Sequence, residues 1–330
     1  MTHSQSPLEI PEFRGRRFLR GGHLQTLGSF FLRRRFDVPP PEERLIEVAP
    51  GIQTLCHCHW QPDRTRATTI IIVHGLEGSS DSGYMVGIAH KALASGMNVV
   101  RMNQRNCGGT ESLAPTLYNS SLSGDVAAVA RHVIERDGVT SFALVGFSMG
   151  GNLVLKAAGE WGAAPPPQLR AVAAVCPAID LAPSADALHE PSNRLYEWYF
   201  VWKLRGRLRT KARLFPSHYD LRRLRGVRTL RQFDDKITAF YCGFTGADDY
   251  YARAAAANVV SDISVPTLIL HAANDPFIRI LPETRKKIAA NPHIRFVETL
   301  DGGHCSFVGE LNGDDGYWAE TRVVDFIAQS

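Results

Sequence analysis

Residues 144 to 152 read LVGFSMGGN: one serine, Ser148, set among Gly146, Gly150 and Gly151 directly after a short apolar run. Glycine loses more conformational entropy on folding than any other residue. Three of them around one hydroxyl imply a backbone that must turn sharply and pack closely there. A serine at such a strand-to-helix turn has its hydroxyl pushed out above the sheet edge, where it can act as a nucleophile. The hydroxyl is weak at neutral pH, so it needs a base, and the base needs an orienting acid. ILHAANDPFI places Asp275 just after a buried apolar run, and DGGHCSFV places His304 after the next one. In a parallel sheet both would stand at the carboxyl ends of strands, the edge from which Ser148 emerges. The pattern predicts attack of Ser148 on an acyl carbonyl, with His304 as base and Asp275 fixing the imidazole tautomer. The backbone amides of Leu76, in HGLEGSSDSGY, and of Met149, opening the helix after the serine, are expected to hold the oxyanion. Asp180 is the rival acid. Asp301 shares a loop with the histidine and is less well placed, and His74, at an earlier strand, is not expected to be the base.

Placing those groups together requires a sheet. Two extended segments, 44–49 and 52–60, are separated by a PG turn. TTIIIVHG and MNVVRMN read as strands buried on both faces, and SFALVG, AVAAVCP, PTLILHA and IRFVETL as further strands. Helical spacing recurs at 84–95, at 123–136, after Ser148, at 282–290 and at 316–328. In the second of these Val126, Val129, Ala130 and Val133 share a face, and Ser123 stands where a cap would. Alternation of this kind predicts the α/β class: a mostly parallel central sheet flanked by helices. The alternation stops between about 180 and 260, where a helical, arginine- and aromatic-rich stretch reads as a cap insertion. Within it, LYEWYFVWKL puts Trp198 and Trp202 four apart, stacked on one helix face. Packing inside the cap is the expected role of that face, and lining an apolar substrate is the alternative. The expected organisation is an N-terminal basic arm over 1–40 and one domain over 41–330 that carries the cap.

With 44% hydrophobic and 21% charged residues in 330, the chain can bury a substantial core. No apolar run nears the length needed to cross a bilayer. The opening MTHSQSPLEIPEFRGRRFLR lacks the apolar centre and small-residue cleavage site of a signal peptide. A cytoplasmic protein is expected, with membrane association left open. Six scattered cysteines without framework spacing fit reduced thiols. In CHCHW, Cys56 and Cys58 would share one strand face and His57 and His59 the other, so a strand is expected there rather than a metal site. No metal and no cofactor are expected.

The net charge of +4 hides an asymmetry. Residues 14–35 hold seven arginines and no acid, and residues 203–231 hold eleven basic residues against Asp220 alone. Solvated helix faces account for this. So would a peripheral contact between anionic membrane and the basic arm and cap. No recognition motif accompanies the charge, so nucleic acid is not an expected partner.

GGHLQTL, VHGLEGSSDSGY, VVRMNQRNCGG, GFSMGGN, ADDYY and DGGHCSF together resemble the YheT-like branch of the α/β-hydrolases, which includes lipases and acyltransferases of the ABHD type. The resemblance runs from about residue 20 to the C-terminus. It implies the α/β-hydrolase fold, a Ser148, Asp275, His304 triad, and esterase or lipase chemistry on acyl esters; a small-molecule, lipid-like ester of short to medium acyl chain is the expected substrate. Asn106 stands where relatives commonly have glycine, and the cap is unusually rich in arginine. GGHLQTL, with His23 and Gln25, is characteristic of the branch and is expected to dock on the body. Two alternatives stay open: an acyltransferase with an alcohol acceptor, and a non-catalytic binding protein on the same fold.

Overall fold

The computed structural model describes residues 10–32, 34–311 and 315–330. Its eight strands are β1 (Glu42–Ala49), β2 (Ile52–His59), β3 (Thr69–Val73), β4 (Asn98–Met102), β5 (Phe142–Phe147), β6 (Leu169–Val175), β7 (Thr267–Ala272) and β8 (Ile294–Thr299). They form one sheet in the spatial order β1-β2-β4-β3-β5-β6-β7-β8. β1 with β2, and β2 with β4, pair antiparallel. From β4 through β8 all neighbours are parallel.

Every residue of β3 is buried, and the strand period of two divides them. Ile70 and Ile72 join one core with Met85, Ile88 and Val323, under α2 (Gly83–Ala94) and the C-terminal helix Trp318–Ala328. Ile71 and Val73 join the other with Val126 and Leu153, under α3 (Ser123–Asp137) and α4 (Met149–Trp161). Each such side chain, fully buried, stabilises the fold by about 1.5–3 kcal/mol. In β2, Cys56 and Cys58 enter the second core, while His57 and His59 face the other way toward Ser80 and Arg101. Ser123 departs from its expected role. It is already the first helical residue, and its hydroxyl donates to the Glu160 carboxylate on α4 instead of capping α3.

Between β6 and β7 lies the cap, with α5 (Leu181–Leu188), α6 (Arg194–Leu214) and the helix Ala247–Ala254, the last two linked by residues 215–246, which form several short helical segments. Trp198 and Trp202 do stack, with ring centroids 6.3 Å apart and planes 13° from parallel. The face they occupy is nevertheless solvent-exposed, at 63% and 56%. The expectation that they pack inside the cap is therefore corrected. Val201, Leu204 and Leu208 lie on an adjacent stripe, about a quarter turn around α6, and those are the residues that reach the core.

Candidate active site

β5 runs into Ser148 and then α4, and Ser148 sits at φ 54, ψ −118. This is a region that non-glycine residues rarely adopt, and it persists only where the surroundings enforce it. They do so here by close approach. A Cβ added to Gly150 would lie 2.3 Å from the Val73 carbonyl oxygen, and one on Gly75 would lie 3.0 Å from Ser148 Cβ. The Ser148 amide donates to the Val175 carbonyl at 2.9 Å, fastening the elbow to β6. The amides of Leu76 and Met149 find no acceptor among the described residues. Both residues line the same cavity as Ser148. That leaves two unpaired donors beside the hydroxyl, as an oxyanion site needs.

Asp275 follows β7 and is almost wholly buried. Its Oδ1 accepts from the Phe277 and Ile278 amides at 3.1 and 3.0 Å, and its Oδ2 accepts from His304 Nδ1 at 2.8 Å. With Nδ1 donating to Asp275, the neutral form of the imidazole carries its lone pair on Nε2, which is the tautomer a general base needs. The Phe277 ring packs 4.4 Å from the imidazole and also lines the Ser148 cavity. The Val175 carbonyl that receives the Ser148 amide also receives the Cys305 thiol, at 3.5 Å. That sulfur lies 3.8 Å from His304 Nε2, so the imidazole stands beside the elbow. Among the described residues no hydrogen bond joins Ser148 Oγ to His304 Nε2. In substrate-free sites such bonds are often long and tighten only once the reactant is bound.

The rival groups are engaged elsewhere. Asp180 accepts from the Leu281 amide and the Thr284 hydroxyl, both at 2.9 Å, and so holds the start of the helix Pro282–Ala290. Asp301 accepts from Asn274 Nδ2 at 2.7 Å and from the Gly302 amide at 2.9 Å. His74 Nε2 accepts from the Gln104 amide, while its Nδ1 donates to the Gly75 carbonyl.

Three contributions escape sequence reasoning. The first explains GGHLQTL, which forms the helix α1 (Gly22–Phe31). Gln25, fully buried, exchanges two 2.9 Å hydrogen bonds with the backbone of Val308, and Thr26 Oγ1 accepts from the His304 amide at 2.8 Å. His23 stacks on Tyr196 of the cap. α1 thus clamps both ends of the turn that carries His304. The second is Arg207, whose guanidinium donates to both oxygens of buried Glu77 at 2.9 and 3.0 Å. Tyr118 donates to the same carboxylate at 2.6 Å, so the cap is tied to the loop bearing Leu76. Nothing in an arginine-rich helix distinguishes this inward arginine from its exposed neighbours. Asn106, at φ 64, occupies the left-handed region where its amide side chain is tolerated.

The third is Cys305. Burial by itself disfavours the His304 imidazolium, but the neighbouring Cys305 thiolate and the Asp275 carboxylate outweigh it and raise the histidine well above its ordinary value. His271 on β7 also faces Asp275 and adds to the same network. A general base must be neutral, so kcat/KM should rise with pH along an alkaline limb. Cys305→Val removes one of the two anions. We expect that limb to move toward acid by about one unit or more, with higher activity at pH 7. A pH–rate profile unchanged by the substitution would show that the thiol does not tune the base.

The cavity in front of Ser148 has a free volume of about 100 Å³. Leu76, Met149, Leu181, Phe200, Leu204 and Phe277 make its walls mostly apolar, with Arg207 and Asp234 as charged groups. No helix among the described residues is long and apolar enough to cross a membrane.

Residues 68–311 match the alpha/beta hydrolase fold family. YheT of Escherichia coli (strain K12) is 30% identical over 312 residues, which covers 92% of this chain and 89% of YheT. The phospholipase ABHD3 of Mus musculus is 29% identical over 307 residues, covering 89% of this chain and 72% of that protein. The esterase Pf2001 of Pyrococcus furiosus shares the fold, with a TM-score of 0.59 over 97% of this chain and 99% of that one at 14% identity. A matched region that contains the elbow, Asp275 and His304, together with kinship along nearly the whole chain, places this protein in the α/β-hydrolase family, in the branch of YheT and the ABHD-type proteins.

Proposed function

We propose that the protein is a cofactor-independent serine hydrolase that cleaves lipid-like carboxylic esters of short to medium acyl chain. The observation that carries this reading is the Asp275–His304 hydrogen bond, set beside a strained Ser148 that faces an apolar cavity. His304 Nε2 takes the Ser148 proton as Oγ attacks the ester carbonyl. The amides of Leu76 and Met149 hold the oxyanion, each contributing ~3–4 kcal/mol to the transition state. Collapse of the adduct expels the alcohol, which takes the proton from His304. Water then attacks the acyl-enzyme with the same base. The apolar walls suit an acyl chain, and the ABHD3 relative is named a phospholipase.

The test combines a fluorophosphonate probe with turnover across a chain-length series of acyl esters. The probe should label the peptide containing Ser148, and turnover should peak at short to medium chains. A protein that neither labels nor turns over any ester would be the binding-protein alternative. If added alcohol diverted most product from acid to new ester, the acyltransferase reading would replace hydrolysis.

The substrate is presented at an anionic membrane surface in this reading. Leu195, Trp198, Tyr199 and Trp202 form an exposed apolar face at the start of α6, and Lys203, Arg209 and Arg213 follow on the same helix. Amphipathic aromatic rings beside basic residues suit the headgroup level of a bilayer. The charge is only partly available, because Arg207 pairs with Glu77 and Lys211 donates to the Glu111 and Ala114 carbonyls. Replacing Trp198 and Trp202 together by alanine should weaken cosedimentation with phosphatidylglycerol vesicles by about tenfold, the equivalent of 1.4 kcal/mol. Turnover of a water-soluble ester serves as the control. Binding indifferent to salt and to anionic lipid content would remove this part of the reading.

A further inference from the structure

Two cysteines that hydrolysis does not use meet at the catalytic histidine. Cys176 directly follows β6 and Cys305 follows His304, 129 positions apart. The Cys305 amide donates to Cys176 Sγ at 3.4 Å, and the Cys176 thiol donates to the Gly303 carbonyl at 3.6 Å. The two sulfurs and one nitrogen of the His304 ring all lie within 4.8 Å of one another, and Nε2 is the ring atom 3.8 Å from Cys305 Sγ. Both cysteines have positive φ, 43 and 61. Side-chain-bearing residues rarely adopt that conformation, so tertiary contacts rather than local preference hold the pair face to face. Cys176 is buried, and Cys305 is partly open to solvent. Cys305 therefore presents itself to a small oxidant, with a proton acceptor on one side and a second thiol on the other. Its thiol is also lowered: burial opposes ionisation, but the Cys176 hydrogen bond and the His304 charge outweigh it.

We propose that Cys305 and Cys176 are a peroxide-responsive dithiol that closes to a disulfide across the catalytic turn and switches the hydrolase off. The switch rests on the serine-hydrolase reading; the disulfide chemistry does not. The Cys305 thiolate, its proton resting on His304 Nε2, attacks one oxygen of hydrogen peroxide. The O–O bond breaks, the sulfur keeps one oxygen as a sulfenic acid, and the departing hydroxide takes the proton from His304 to become water. The Cys176 sulfur then attacks the sulfenyl sulfur. The S–S bond forms as the S–O bond breaks, and the second hydroxide leaves as water with the Cys176 proton. The two thiols lose two electrons and two protons, and the peroxide is reduced to two waters. Reaching bonding distance draws residue 305, and His304 with it, toward the end of β6. A displacement of about 1 Å in a catalytic group can cost 10²-fold in rate.

The full-length reduced protein is treated with hydrogen peroxide, alkylated, and mapped as peptides without reduction. Ester turnover and fluorophosphonate labelling are followed in parallel. We expect the Cys176 and Cys305 peptides to be joined with loss of two hydrogens, turnover and labelling to fall about 100-fold, and both to return with dithiothreitol. In Cys176→Ala, or the size-matched Cys176→Ser should alanine not fold, Cys305 should gain oxygen and the loss should become irreversible. Cys305→Val, compared with its own untreated activity, should resist peroxide. Both thiols still alkylated after inactivation, a disulfide to another cysteine, or a crosslink without loss of turnover would each overturn the proposal. A reduced protein without turnover or labelling would instead sink the hydrolase reading, while the crosslink still reported on the dithiol.

Discussion

Ser148→Ala is expected to lower kcat on an acyl ester by roughly 10⁴-fold or more, with KM little changed. Fluorophosphonate labelling should vanish with it. The substitution deletes only Oγ. The elbow is held by the Ser148 amide on Val175 and by backbone packing at Gly150 and Gly75, none of which needs the hydroxyl. Thermal stability should therefore stay near that of the parent, which separates lost chemistry from lost fold. A residual rate above the uncatalysed reaction is also expected, because the Leu76 and Met149 amides remain to polarise a bound carbonyl. Full turnover in the alanine variant would eliminate the acyl-enzyme.

Asp275→Asn should cost about 10⁴-fold in kcat. The asparagine amide can donate to Nδ1, which moves the ring proton to Nε2, the atom that must accept from Ser148. Asp275 is ionised in the folded protein. Burial opposes its charge, but the His304 charge and hydrogen bond, with the Ile278 amide, hold the carboxyl below its ordinary range. The sign of the stability linkage follows. A folded value below the unfolded one gives stabilisation that is complete above the unfolded pKa of about 3.9 and is lost as pH falls through the folded value. Asp275→Asn should therefore flatten part of the acid-unfolding profile as well as abolish activity. Asp180→Asn is the informative contrast. It disturbs the hydrogen bonds to Leu281 and Thr284, so about 1–2 kcal/mol of stability should go while kcat stays within a few-fold. If the two outcomes were exchanged, Asp180 would be the acid and the assignment would fail.

The tie between α1 and the His304 turn gives GGHLQTL a mechanical meaning. His304 is reached from three directions: Asp275 fixes its ring, Thr26 fixes its amide, and Phe277 bears on its face. As the proposed base, a histidine held this way would lose little entropy on aligning with the substrate, which is the source of much intramolecular rate advantage.

The sequence alone determined what short-range physics controls. Runs of β-branched residues specify β3 and β4, helical spacing specifies α2 and α3, and the glycines around Ser148 specify a turn that few other residues could make. The carboxyl-end positions of Asp275 and His304 follow once the strands are parallel, so the Asp–His pair was legible too. Tertiary structure decided whatever depends on partners remote in the chain. Gln25 meets Val308 across 283 positions, Arg207 meets Glu77 across 130, and Cys305 meets Cys176 across 129. It also decided that Trp198 and Trp202 face solvent, because the spacing that puts two residues on one helix face is blind to which face the core covers. Local pattern is set by dihedral preference and periodicity within a few residues. Burial and pairing at a distance are set by how whole elements pack, and no single segment contains that information.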